Sequence, residues 1–202
     1  MSRLNGIHEA SSYLQERTVP APKREKLLGI AESIFSKEGF KGVSVDRLLN
    51  EAGVAKMTLY KGFESKNALI EETLRRRGDR LAAHLERSIE SADASPENQV
   101  LSIFDAMQNW SKRPDFNGCY FVNALSEYKG SEGNISELAH TYKMRLLEFI
   151  KSRCRQLSTA DPDAMAHSIF LLIEGATVTH MSLGDRRSYS RAKEIAAVLM
   201  QT

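Results

Sequence analysis

The sequence is short of the features that mark several large classes of protein. Only two cysteines, Cys119 and Cys154, occur in 202 residues. That is too few for a disulfide framework, and neither belongs to a CxxC pair or to a Cys/His cluster with metal-ligand spacing. A cytoplasmic location with no metal and no cofactor is therefore expected. Long apolar runs are missing too. The strongest, IFLLI at 169–173, stops at Glu174, and the opening MSRLNGIHEASS has no apolar core, so no membrane span or secretory leader is expected. Strand-like alternation and internal repeats are absent. A nucleophile, a base and an orienting group never fall into a recognisable constellation, so no catalytic residue is expected. An excess of charge of one sign is also lacking: residues 1–90 hold 16 Lys and Arg against 13 Asp and Glu, and residues 91–202 hold 12 against 13. That bias proves no partner, although its direction suits a nucleic acid at the first half.

What is present is helical. With 42% apolar and 27% charged residues, the chain has the composition of an ordinary globular protein and the length to bury a core in one or two domains. From Lys23, an apolar stripe of Leu27, Ile30, Ala31, Ile34 and Phe35 ends at Gly39, with Phe40 positioned to pack back. Lys23, Arg24 and Lys26 crowd the start of this helix, where the dipole favours acids; they form either a solvated end or a phosphate contact. Ser44 can cap a second helix whose apolar face is Val45, Leu48, Leu49 and Ala52, and Gly53 can end it. In the turn and a half that follows, Leu59 and Phe63 point inward. That leaves Lys56, Met57, Thr58, Tyr60 and Lys61 on its flanks and outer side, the kinds of group that reach phosphates and base edges in a major groove. Ser65 can cap the next helix, and Lys66 in its first turn is a cation best explained by an incoming anion.

The run AGVAKMTLYKGFESKNAL, preceded by an amphipathic helix ending in EGFKGVSVDRLL, resembles the DNA-binding domain of the tetracycline-repressor (TetR/AcrR) family of bacterial transcriptional regulators. The likeness covers about residues 23–75. It implies an all-α fold: a tail at 1–21, a three-helix helix-turn-helix domain at 22–70, and a larger helical ligand-binding and dimerisation domain at 71–202. By resemblance Lys56, Met57 and Thr58 take base-contacting positions, and Ser44, Tyr60, Lys61 and Lys66 take phosphate-contacting ones. Lys23 and Arg47 join them as DNA-binding candidates. Three residues depart from the pattern. Gly62 stands where His or Tyr is usual, Ala55 where a capping Ser is common, and Asp46 where a basic residue often faces DNA.

Residues 65–90 read as one long helix with Leu69, Ile70, Leu74, Leu81, Leu85 and Ile89 inward; Arg75, Arg76, Arg77 and Arg80 read as a solvated face or as a link between domains. Five more helices are expected at 96–112, 117–129, 133–157, 161–183 and 188–201, two of them opened by the cap-and-proline pairs Ser95-Pro96 and Asp161-Pro162. Phe104, Met107, Trp110, Tyr120, Asn123, Phe149 and Glu174 are the candidate ligand-binding residues, an aromatic and polar mixture that serves equally as plain core. Ala164, Ser168, Leu172, Gly175 and Thr179, with Ala192, Ile195 and Leu199, are the candidate homodimer interface. The expected partners are a double-stranded operator, a small-molecule effector and a second copy of the chain. The alternatives are a DNA-binding regulator that senses through the Cys119 thiol, near the start of a helix, and an enzyme with a helical pocket.

Overall fold

The computed structural model describes residues 22–92, 95–130 and 133–201; the tail expected at 1–21 lies outside them. The described residues form nine helices and no strand: α1 (Pro22–Glu38), α2 (Val45–Ala52), α3 (Lys56–Phe63), α4 (Lys66–Glu90), α5 (Pro96–Ser111), α6 (Tyr120–Tyr128), α7 (Ile135–Cys154), α8 (Pro162–Leu183) and α9 (Ser188–Leu199). Their ends follow local chemistry. The hydroxyls of Ser44, Ser65 and Ser95 and the carboxylate of Asp161 each accept a hydrogen bond from the amide three residues on. Gly53 closes α2 in the left-handed conformation, and the Val54 amide returns to the Leu49 carbonyl at 3.1 Å. Two expected boundaries shift. Gly118, at φ 94°, breaks the helix expected from 117, so α6 begins at Tyr120 with Cys119 as its N-cap. Likewise α7 stops at Cys154 because Arg155–Leu157 fold into tight turns.

Two apolar clusters divide the interior. One gathers α1–α3 and the first half of α4, and it also takes in Tyr120, Phe121, Ala124 and Tyr128 of α6. The other joins the end of α4 to α5, α7, α8 and α9 around Ile103, Ile150, Ile169 and Tyr189. Helix α4 belongs to both: Leu69, Ile70 and Leu74 pack in the first, Leu85 and Ile89 in the second. The α1–α2 turn is held from across this junction. Glu127 of α6 accepts the Phe40 amide at 2.9 Å and the Lys41 amide at 2.7 Å, and Phe40 packs edge-on against Tyr120 with ring centroids 4.9 Å apart.

Gly39 makes that grip workable. Its φ is 79°, and a Cβ added there would lie 2.6 Å from a Glu127 carboxylate oxygen. Gly39→Ala is therefore expected to destabilise the fold by about 1–2 kcal/mol through the left-handed backbone alone, and by more if the Phe40 and Lys41 amides lose their acceptor. Urea unfolding checks it; an unchanged midpoint would mean that the turn relaxes freely.

The arginines of α4 divide between the two accounts. Arg75 is half-buried and pairs only within its own helix, with Glu71 at 3.0 Å. Arg77 is buried at 3% exposure. It reaches Glu32 of α1 at 3.2 Å and Asp115 of the α5–α6 loop at 2.9 Å, and its guanidinium lies 5.5 Å from the ring centroids of Trp110 and Tyr120. Arg76 and Arg80 converge on the same Glu32 carboxylate. Arg113 and Arg77 hold the Asp115 carboxyl below its ordinary range, against the opposing effect of desolvation. The solvated-face reading therefore fails for Arg77, which ties α1, α4 and the α5–α6 loop together.

Candidate nucleic-acid interface and effector cavity

Helix α3 is two turns long and is fixed from below by Leu59, fully buried, and Phe63. Burial of two such side chains contributes about 1.5–3 kcal/mol each, enough to seat a helix with no cap of its own: Ala55 makes no capping bond, as its methyl dictates. The opposite face is open. Met57 is 57% and Tyr60 47% exposed, Lys56 and Lys61 are exposed, and Thr58 is half-buried. With Lys23 and Arg24 of α1, Met57, Thr58, Lys61 and Gly62 line a shallow groove of about 330 Å³. Gly62 has its own account. Its carbonyl accepts from Arg24 Nε at 3.1 Å, and the Arg24 guanidinium stacks 4.3 Å from the Phe63 ring. A Cβ at Gly62 would press on the Arg24 stem at 3.3 Å.

The other candidates are more constrained. Ser44 is exposed, but its hydroxyl is engaged as the α2 cap, and Arg47 is exposed while forking onto Glu38 of α1. Lys66 donates to the Lys41 carbonyl at 3.2 Å. Burial lowers the pKa of its ammonium, and Glu127 partly opposes the effect. Its remaining N–H groups leave room for an anion, while the one bond already made braces the α1–α2 turn.

Two adjoining cavities lie beneath this domain. The larger, about 170 Å³, is lined by Leu81, Leu85, Phe121, Tyr142, Leu146 and Phe149, among others, with Asp79 and Arg145 in its wall. The smaller, about 40 Å³, has Arg77, Met107, Trp110, Tyr120, Cys119, Lys143 and Glu174 in its wall. Leu81, Phe121, Tyr142 and Leu146 border both, and the rings of Phe121 and Tyr142 stack at 5.1 Å. Neither space reaches the roughly 300 Å³ of an ordinary ligand pocket, so a larger occupant has to part that ring pair. Tyr120 donates to Thr73 at 2.9 Å, and burial pushes its phenol far above the ordinary tyrosine range.

Of the expected ligand residues, Met107, Trp110, Tyr120, Phe149 and Glu174 line these cavities. Phe104 does not; it is buried in the second core, one turn earlier on α5 than Met107. Asn123 also lines neither, since it is displaced along α6 from Cys119 and Tyr120. Sequence reasoning missed Arg77, Phe121, Tyr142 and Lys143. Lys143 bonds to Glu174, so a glutamate inside an apolar helix was the available signal for a buried cation.

Helices α8 and α9 carry an open apolar face. Leu171, Val178, Leu183, Ile195 and Val198 are exposed at 69%, 60%, 78%, 50% and 62%. Ala164 and Gly175 lie exposed on the same side, with Ser168, Leu172, Thr179 and Leu199 half-buried along its margins. Ala192 does not belong there. It is 5% exposed and packs with Tyr189 and Ala196 in the second core, because α9 turns that face inward and Ile195 outward.

Among the described residues no group of three or more His, Cys, Asp or Glu could hold a metal ion, and no helix is long and apolar enough to cross a membrane. His84 and His180 meet the Ala106 and Asp185 carbonyls at 2.9 and 3.2 Å.

Comparison with known proteins agrees with this architecture. Residues 27–73 match the family description "Bacterial regulatory proteins, tetR family", and residues 96–196 match "Tetracyclin repressor-like, C-terminal domain". The transcriptional repressor KstR2 of Mycolicibacterium smegmatis is 32% identical over 43% of this chain and 42% of its own length. The repressor ComR of Escherichia coli is 28% identical over 62% and 61%. The matched stretches thus span less than two thirds of both relatives. The crystal structure of SCO4454, a TetR-family transcriptional regulator from Streptomyces coelicolor, superimposes with a TM-score of 0.81 at 26% identity, covering 88% of this chain and 93% of that one. The chain belongs to the TetR family of bacterial regulatory proteins: it is a transcriptional regulator with a DNA-binding helix-turn-helix.

Proposed function

We propose that the protein is a ligand-responsive repressor that grips a near-palindromic operator as a homodimer and releases it when a small molecule enters the cavities below the reader. The observation that carries this reading is the double placement of Arg77. It stands in the cavity wall, and it is also the ion-pair partner of Glu32 on α1. An occupant that moves α4 or α6 therefore acts on the same side chains that fix the tilt of α1 to α3.

Lys56, Met57 and Thr58 read base edges in the major groove, while Lys23, Ser44, Arg47, Tyr60, Lys61 and Lys66 meet phosphates. The open face of α8 and α9 meets its own copy in a two-fold arrangement, so that two α3 helices enter successive grooves about 34–36 Å apart. A ligand shifts that spacing only through its different affinity for the two states. Coupling of about 1–3 kcal/mol suffices for a working switch. The names of KstR2 and ComR, both repressors, support repression over activation.

Selection from random duplex DNA tests the reading. An enriched palindrome with half-sites one turn apart is expected; enrichment of a single unpaired half-site would overturn the dimeric mode. Within the selected operator, Lys61→Ala is expected to weaken binding to all sequences alike and to reduce the slope of log affinity against log salt by about one. Thr58→Ala should instead change which bases are preferred. Titration by fluorescence anisotropy across salt concentrations separates the two, and an unchanged slope would remove Lys61 from the phosphate contacts.

A further inference from the structure

We propose that the smaller cavity captures small α,β-unsaturated carbonyl compounds covalently, with Cys119 as the attacking sulfur, Lys143 as the proton donor and Arg77 Nε as the group that holds the carbonyl oxygen. The proposal rests on the effector-cavity reading above and names the chemical class of the effector.

Three independent features meet in that space. Cys119 is half-buried, lines the wall and is the N-cap of α6, and its side chain makes no capping bond. A helix N-terminus and a neighbouring cation are the surroundings that make a thiol nucleophilic. The cation is Lys143, 13% exposed, whose ammonium bonds to the Glu174 carboxylate and which stands with Cys119 in the wall of the same cavity. Arg77 supplies the third feature. Its side chain is 4% exposed, its terminal nitrogens are taken up by Glu32 and Asp115, and its Nε is buried with no partner. A buried N–H left unmet is costly, and a ligand carbonyl would satisfy it.

The chemistry of the wall selects among ligand classes. A carboxylate is disfavoured, since Glu32, Asp115 and Glu174 already balance the two cations. Disulfide formation within the chain lacks a partner, because Cys154 is fully buried in the second core and burial pushes its thiol up to about 11. A neutral, mostly apolar molecule with one acceptor oxygen fits between Trp110, Phe116, Tyr120 and Phe121. A space of about 40 Å³ limits the reactive end to a few atoms, and an apolar tail would pass the Phe121–Tyr142 pair into the larger cavity.

The step balances without an oxidant. The thiol proton passes to the Glu174 carboxylate, which returns it to Lys143 once that ammonium has given its own, and sulfur bonds to the β-carbon. The alkene pair moves to the carbonyl oxygen, held by Arg77 Nε–H. The α-carbon then takes a proton back from Lys143. One S–H bond and the alkene π bond are exchanged for one S–C and one C–H bond.

The test uses the purified full-length protein with methyl vinyl ketone, and with butanone as its saturated counterpart. Intact mass and peptide mapping are expected to find one addition, at Cys119. Trp110, the only tryptophan in the sequence, should report occupancy by fluorescence. Lys143→Met should slow the addition roughly tenfold, the scale of one lost charge-assisted hydrogen bond in the transition state. The double variant Lys143→Met/Glu174→Leu, which leaves no unpaired carboxylate, should behave alike if the fold is intact. Absence of addition at Cys119, or a rate indifferent to Lys143 in both variants, overturns the capture. Saturated compounds that change Trp110 fluorescence and release the operator would in that case leave the effector cavity standing. Addition at Cys119 that never alters operator affinity would instead support capture and overturn the effector reading.

Discussion

Replacing Glu32 with alanine is expected to remove about 3–5 kcal/mol of stability, the cost of leaving a buried ion pair without one partner. Glu32 is 4% exposed, and its carboxylate is shared by Arg76, Arg77 and Arg80. Without it, the buried guanidinium of Arg77 keeps only Asp115, which stands in the middle of the α5–α6 loop. For a chain of this size each kcal/mol moves the thermal midpoint by about 2–4 °C, so a fall of roughly 10 °C is expected. Glu25→Ala is the control. Glu25 also pairs with an α4 arginine, Arg76, but its carboxylate is 47% exposed, and an exposed pair contributes at most about 1 kcal/mol. Equal losses from the two substitutions, measured by urea unfolding, would mean that water reaches Glu32 and that the junction between α1 and α4 is weaker than its geometry implies. The same variant should also lose operator affinity at temperatures where it is still folded, because α1 seats the reader.

The reader itself was legible because its signals are local. Ser44, Gly53, Ser65 and the spacing of Leu59 and Phe63 each act within a few residues, and each appears in the structure as a cap, a left-handed turn or a buried anchor. The Arg77–Glu32 pair was not legible in this way, because its partners are 45 residues apart. One hint was available: Arg77 falls on the face of Ile70, Leu74 and Leu81, and Glu32 on the face of Leu28 and Phe35, so each charge interrupts an apolar stripe. Reading α4 by its density of arginines rather than by its register hid this. The cavity was half legible for a different reason. Helical spacing gathers Phe104, Met107 and Trp110 on one side of α5, but whether a neighbouring helix fills or leaves the space beside each depends on contacts with α4, α7 and α9. The outward faces of α8 and α9 followed from their small and apolar residues, while Ala192 shows the limit of that signal: a small residue suits a helix packed inside the same domain as well as one from a second copy.

Placing a carboxylate on the open face of α8 is the change expected to have the largest effect on DNA binding. Val178 is 60% exposed in the single chain, so Val178→Asp should leave the fold almost untouched. In a two-fold interface the residue enters twice, and each buried, unpaired carboxylate costs several kcal/mol. Dimer dissociation should therefore rise by at least about a hundredfold, since each 1.4 kcal/mol is a factor of ten. Gly175→Leu probes the same face by volume instead of charge: Gly175 is exposed and a Cβ there meets nothing within 4 Å in the single chain, so a dimer lost while the fold stays intact points to a second copy. Loss of the linked second reader should then lower operator affinity by roughly 10²–10⁴, the usual advantage of joining two binding modules. A single half-site should bind as before, because α3 and its supports are far from the change in sequence and in fold. Sedimentation equilibrium and titration against both DNAs separate these effects. Full dimers from both variants at micromolar concentration would move the interface away from α8 and α9, and with it the two-reader spacing on which the operator's symmetry depends.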